Sequence, residues 1–66
     1  MQICYKRLWK LLIDRDIRKK DLAAMAGIST SSITKLTNNE NVTTDVLLKI
    51  CCALNCEISD ILEIIR

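Results

Sequence analysis

Four cysteines are the most reactive side chains of this chain, and their spacing limits the chemistry they could support. They are Cys4, Cys51, Cys52 and Cys56, and the sequence contains no histidine. Structural zinc sites typically use two pairs of ligands, each spaced two to four residues apart, often with histidine. Small secreted disulfide scaffolds are rich in loops, whereas these cysteines lie in or beside predicted helices. We therefore interpret them as reduced thiols, expect no metal site, and leave a redox role for Cys52 or Cys56 open.

Asp14 and Asp16 form a second group, a pair of carboxylates that could in principle act in catalysis. Residues two apart on a helix do not share a face, so these side chains are not expected to converge on one substrate. The chain also has no glycine-rich phosphate loop, since its one glycine is Gly27. We predict solvated aspartates, no enzymatic activity, no cofactor and no small-molecule substrate.

A third group, of hydroxyl and cationic side chains, lies between residues 18 and 38 and could bind a polyanion. Residues 1–39 carry eight Lys or Arg against three Asp or Glu, a net charge of +5. Residues 40–66 carry two against five, a net charge of −3, which gives the +2 of the whole chain. A basic half next to an acidic half is typical of a protein that turns one face toward polyphosphate.

Five short helices around one core are predicted to position these side chains. With 66 residues, half of them hydrophobic, no proline and one glycine, the chain is expected to be a single all-α domain over residues 1–66. The apolar spacing predicts helices over 5–15, 19–26, 30–37, 44–54 and 58–65. The inward face of the first helix is predicted to comprise Tyr5, Leu8, Trp9, Leu12 and Ile13.

The sequence also indicates the cellular location of the protein. No apolar run approaches the roughly 18 residues of a membrane span. The chain has no basic-then-apolar leader with a small-residue cleavage site. We therefore expect a cytoplasmic protein without membrane contact.

Local signals mark the ends of the predicted helices. Gly27 permits the left-handed conformation that ends the second helix within one residue, and Ser29 can cap the third helix. Thr43 is predicted to cap the fourth helix, and Asn55 to end it in a left-handed conformation. Residues 19–37 are therefore predicted to form a helix-turn-helix, a unit that presents its second helix to the major groove of DNA.

These residues resemble the Cro/phage-repressor (XRE-like) type of helix-turn-helix DNA-binding domain, including small stand-alone regulators of Gram-positive bacteria. The resemblance runs from about residue 8 to residue 62. It rests on Leu22-Ala23, Gly27-Ile28, Ile33, Leu36 and Leu47-Leu48-Lys49-Ile50. It implies a lambda-repressor-like fold and a sequence-specific transcriptional regulator, more often a repressor, whose recognition helix is the one over 30–37.

The resemblance also implies site residues. Bases are read in this family by the first residues of the recognition helix and by a residue one turn further on. The corresponding residues here are Thr30, Ser31, Thr34 and Lys35. Phosphate contacts are implied for residues near that helix, namely Lys19, Lys20, Asn38, Ser29, Arg18 and Lys10. Where the family commonly has a Ser or Thr cap followed by Gln, this chain has Arg18 and Lys19, and Glu40 adds an acidic residue to a loop that is often basic.

One such domain contacts too few base pairs to select a genomic site, so two copies are expected on an inverted repeat with half-sites about one helical turn apart. The expected homodimer contact is the predicted C-terminal helix, through Ile61, Ile64 and Ile65. The same fold also serves as a protein-interaction module, such as an antitoxin or an adaptor, and the sequence leaves this alternative open.

Overall fold

The computed structural model describes residues 2–66, and four α-helices make up most of it. They are α1 (Lys6–Asp14), α2 (Lys19–Ala26), α3 (Thr30–Thr37) and α4 (Thr44–Leu54). A 3₁₀ helix follows over Ile58–Asp60, and two short strands, β1 (Gln2–Cys4) and β2 (Glu63–Ile65), lie near the ends of the chain. The predicted all-α helix-turn-helix class is confirmed, and the first four predicted helices match the structure to within one residue at each end.

The helix ends follow the predicted local signals. Gly27 adopts a left-handed conformation with φ 69°, and Asn55 does the same with φ 51°. Ser29 Oγ and Thr43 Oγ1 each accept a hydrogen bond of 3.3 Å from the backbone N–H three residues further along. Asp16, with φ 55°, provides a further left-handed residue just after α1. Each of these residues satisfies or redirects the unpaired backbone groups at a helix end.

The predicted helix over 58–65 is wrong. The only helical part of this segment is the 3₁₀ helix Ile58–Asp60. Reciprocal hydrogen bonds between Glu57 and Asp60 cap its N-terminus. The residues that follow form β2, which pairs antiparallel with β1 with Gln2 opposite Ile65, Ile3 opposite Ile64 and Cys4 opposite Glu63. The apolar spacing of this segment fits a helix, but branched isoleucines favour extended backbone and β1 supplies the hydrogen-bonding partner.

The core takes residues from all four helices and from the segments that flank them. Its members are at most 3% exposed, and they are Tyr5, Leu8, Leu12, Leu22, Leu36, Ile50, Leu54 and Ile61. Burying one such aliphatic side chain stabilises the fold by about 1.5–3 kcal/mol. Ile61 is therefore a core residue and not an exposed dimer contact. Ile13, predicted to point inward, is 77% exposed, because the buried stripe of α1 runs through positions four apart and Ile13 lies beside it.

Tyr5, the residue directly after β1, links the N-terminal strand to the loop after α3 by two hydrogen bonds. Its backbone N–H donates a hydrogen bond of 3.1 Å to Asn39 Oδ1, and its phenol O–H donates one of 3.2 Å to the backbone carbonyl of Glu40. Tyr5 is only 1% exposed, so its phenol makes this bond largely shielded from water. The end of α3 is thereby held at a fixed position relative to the sheet.

Candidate nucleic-acid interface

A three-residue turn, Gly27–Ser29, joins α2 to α3. Within it the backbone N–H of Ile28 donates a hydrogen bond of 3.1 Å to the carbonyl of Ala23, which closes the end of α2. Leu22 and Leu36, each 0% exposed, anchor the two helices to the same core. The turn and these two anchors fix how α3 is presented to solvent.

The four predicted base-contacting residues lie on one face of α3. Thr30, Ser31, Thr34 and Lys35 are all exposed, whereas Leu36 is buried. Their positions differ by one, four and five residues, which a helix brings to one side. The hydroxyl of Thr34 donates a hydrogen bond of 3.1 Å to the carbonyl of Thr30, so its oxygen remains able to accept. The face thus offers hydroxyl groups and one ammonium group.

The basic residues at the start of α2 are also exposed, and one of them makes specific contacts. Arg18, Lys19 and Lys20 lie at the cap and in the first turn of α2. Lys19 Nζ lies 3.2 Å from Thr37 Oγ1 and 4.4 Å from the centroid of the Trp9 ring. A cation over an indole ring at an exposed site contributes about 0.5–1 kcal/mol. Lys19 therefore connects three helices, a contact that periodicity within any one helix does not reveal.

The remaining predicted phosphate contacts are more dispersed. Ser29 is exposed, and its hydroxyl lies 3.2 Å from the hydroxyl of Ser32 as well as capping α3. Asn38 Nδ2 donates a hydrogen bond of 3.3 Å to Glu40 Oε2. Lys10 is exposed on α1, a different helix from those of the other candidates. The carboxylate of Glu40 beside Asn38 disfavours a phosphate on that side of α3.

The groups with altered acidity lie elsewhere in the described part of the chain. Burial raises the pKa of Tyr5, Cys51 and Cys56. Across residues 2–66, no three His, Cys, Asp or Glu side chains are grouped so that they could hold a metal ion. In the same residues no helix has the length and apolarity to cross a membrane, the longest having 11 residues.

A glycine turn between two short helices, the second with an exposed polar face, defines a helix-turn-helix DNA-binding domain. The sequence model of the Cro/C1-type HTH DNA-binding domain matches residues 7–66, and the chain belongs to this family. Membership makes it a DNA-binding protein and not an enzyme, as the sequence predicts.

A crystal structure of the transcriptional regulator VanUg (Form II) is similar to this chain. The TM-score is 0.90 and the sequence identity is 52%, over 94% of this chain and 83% of that chain. Among curated protein sequences, none matches the chain significantly.

Proposed function

We propose that the chain is a sequence-specific transcriptional regulator that reads the major groove of DNA with the exposed face of α3. The observation that carries the proposal is the common exposed face of Thr30, Ser31, Thr34 and Lys35. An ammonium group donates to guanine O6 or N7, and hydroxyl groups pair with several bases. The similarity to a structure of a transcriptional regulator supports the same function.

Affinity in this proposal comes from cations that surround the reading helix. Lys19, Lys20 and Arg18 contact phosphates from the start of α2, with Ser29, Asn38 and Lys10 as further contacts. Phosphate contacts fix the orientation on the duplex and make binding depend on salt, but they carry no sequence information. The contact of Lys19 with Trp9 and Thr37 supports its role, because it reduces the freedom that a bound lysine must lose.

The regulator is further proposed to act in the cytoplasm as a homodimer on an inverted repeat, with residues 1–66 forming one domain per copy. Two exposed isoleucines on β2 support the dimer, since Ile64 is 56% exposed and Ile65 is 46% exposed. Two copies related by a two-fold axis place their reading helices about one helical turn apart. A protein bound in this way beside a promoter obstructs RNA polymerase, so repression is the expected outcome.

Fluorescence anisotropy on labelled DNA from the upstream region of the gene tests sequence reading. Lys35→Ala should weaken binding to that duplex by about 1–3 kcal/mol, roughly 5- to 150-fold in Kd, with little change on a scrambled duplex. Lys20→Ala should weaken binding to both duplexes alike and reduce the salt slope by about 1. Lys49→Ala is the matched control, because Lys49 pairs with Asp45 on α4 at 3.1 Å and lies outside the proposed interface.

Two outcomes contradict parts of this proposal. Equal loss on both duplexes after Lys35→Ala would make Lys35 a phosphate contact and not a base contact. Absence of binding to any duplex at low salt would favour the alternative function, a protein-interaction module such as an antitoxin or adaptor.

Sedimentation at micromolar concentration tests the dimer. The double variant Ile64→Ser/Ile65→Ser should be monomeric where the parent is dimeric. Ile13→Ser is the matched control, since it removes an isoleucine that is 77% exposed on α1. A strictly monomeric parent protein would remove the dimer from the proposal and leave the reading face untouched.

A further inference from the structure

The backbones of Cys51 and Cys56 are hydrogen-bonded to each other where α4 ends. The left-handed residue Asn55 reverses the chain and brings the backbone N–H of Cys56 to 3.0 Å from the carbonyl oxygen of Cys51. Both side chains are half-buried and pack against the core. The backbone therefore brings two free cysteines close together at the end of α4.

The backbone geometry also permits a covalent bond between them. Standard bond lengths added to the 3.0 Å hydrogen bond limit the distance between the two Cα atoms to about 7 Å. Cysteines with Cα atoms more than about 7 Å apart cannot be bridged without backbone movement, and most disulfides span about 4.4–6.8 Å. Cys51 and Cys56 meet this limit in the reduced structure.

We propose that Cys51 and Cys56 are a redox-active dithiol site, which a hydroperoxide converts reversibly into an intramolecular disulfide. The other two cysteines are not part of the site. Cys52 is exposed on α4, and Cys4 lies in β1. The site lies in α4 and the turn after it, apart from the proposed DNA-reading residues of α3.

The reaction with hydrogen peroxide balances in two steps. The thiolate of one of the two cysteines attacks one peroxide oxygen, the O–O bond breaks, and a sulfenic acid forms with release of hydroxide, which the proton lost by that thiol converts to water. The second cysteine then attacks the sulfenic sulfur as its own proton leaves, the S–O bond breaks, and a second water departs. Two electrons pass from the two sulfurs to the peroxide. A dithiol reductant returns the two electrons and two protons.

Burial raises the pKa of both cysteines. At Cys56, Asp60 and Glu57 add to this rise, whereas Arg15 opposes it.

The test uses the full chain with Cys4→Ser and Cys52→Ser, which retains only the proposed pair. After treatment with hydrogen peroxide, unfolding and alkylation, mass spectrometry should find a monomer with no alkylated thiol and two hydrogens fewer. Dithiothreitol should restore two alkylatable thiols. Because the disulfide restrains the unfolded chain, the melting temperature of the oxidised protein should rise by at least about 5 °C and return on reduction.

A second variant distinguishes a specific disulfide between Cys51 and Cys56 from general oxidation of the thiols. In the otherwise natural chain, Cys56→Ser should keep every remaining thiol free of intramolecular linkage, with circular dichroism as the check that the variant is folded. The proposal is overturned by any of three results: persistence of two alkylatable thiols in the paired protein, oxidation of its thiols only to sulfinic acids, or cross-links between chains. It is equally overturned by an intramolecular disulfide in the Cys56→Ser protein.

Discussion

The turn between α2 and α3 depends on the backbone freedom of Gly27, and replacing this residue gives a quantitative prediction. Its φ of 69° is left-handed, a conformation that costs an L-residue about 1–2 kcal/mol. A Cβ at this position would meet no heavy atom within 4 Å, so no clash is added. The reduced freedom of the unfolded chain offsets about 0.4–1 kcal/mol of the cost. We expect Gly27→Ala to lower the free energy of unfolding by about 1 kcal/mol.

Gly27→Asn should cost less than Gly27→Ala, because asparagine tolerates the left-handed region better than alanine does. Urea unfolding followed by Trp9 fluorescence measures both variants. With a slope of about 1 kcal/mol per molar urea, the alanine variant should unfold at a midpoint about 1 M lower. Since the new methyl group contacts nothing, the folded protein should keep its affinity for DNA.

Three results would refute this reasoning. A loss of about 3 kcal/mol or more for alanine would mean that the side chain meets a steric obstacle. Equal losses for alanine and asparagine would mean that left-handed tolerance is not what decides the cost. No loss for either variant would mean that Gly27 does not hold a left-handed conformation in solution.

Thr43→Ala removes the oxygen that caps α4 and should lower the free energy of unfolding by about 1 kcal/mol. Thr43→Ser keeps a hydroxyl at this position and should retain most of the stability, which urea unfolding of the two variants in parallel checks. Asn39 has a left-handed φ of 56° and accepts a hydrogen bond from the backbone N–H of Tyr5. Asn39→Gly loses only the hydrogen bond and should cost about 1 kcal/mol, whereas Asn39→Ala also strains the backbone and should cost about 2 kcal/mol. Equal costs for the two variants would contradict a contribution from backbone strain. Burial raises the pKa of Cys51 and Cys56 above 9.0 and that of Tyr5 above 10.0, so the unfolded chain loses these protons first and stability should fall as the pH rises above about 9. Melting temperatures measured from neutral to alkaline pH test the sign, and a rise would contradict it.

The features that sequence predicted best are those decided by one or two adjacent residues. Gly27 is a turn residue because it has no Cβ, and Ser29 is a cap because its hydroxyl reaches a nearby backbone N–H. Thr43 and Asn55 mark the two ends of α4 by the same local physics. None of these assignments needs knowledge of a distant part of the chain, which is why the boundaries of four helices agree with the structure.

The C-terminal segment shows where local reasoning fails. The stretch Glu63–Ile65 is compatible with a helix or a strand, since short apolar runs do not distinguish the two periods. The choice is made by Gln2–Cys4, more than fifty residues away in the chain, which supplies the hydrogen-bonding partner. A tertiary contact of this kind is invisible to periodicity. The same pairing leaves Ile64 exposed, whereas Ile61 enters the core.

The exposed residues of the candidate site could be predicted from the sequence, but the side chains that they contact could not. The resemblance implied the position of Lys35 on the recognition helix, and Lys35 is exposed on α3. The partners of Lys19 do not, because Trp9 and Thr37 belong to other helices. In the same way, the sequence shows that Glu40 places a negative charge, unfavourable for phosphate binding, in the loop after α3. Its hydrogen bond with Asn38 is known only from the structure.

The sheet gives the proposed dimer a rigid connection to the reading helix. Residues 2–4 pair with β2, and the next residue, Tyr5, is hydrogen-bonded to Asn39 and Glu40 directly after α3. Two reading helices fit an inverted repeat only when their separation matches about one helical turn of DNA. In the proposed dimer, a contact at Ile64 would be transmitted to α3 through one strand and one buried tyrosine, so the N-terminal strand would set the half-site spacing.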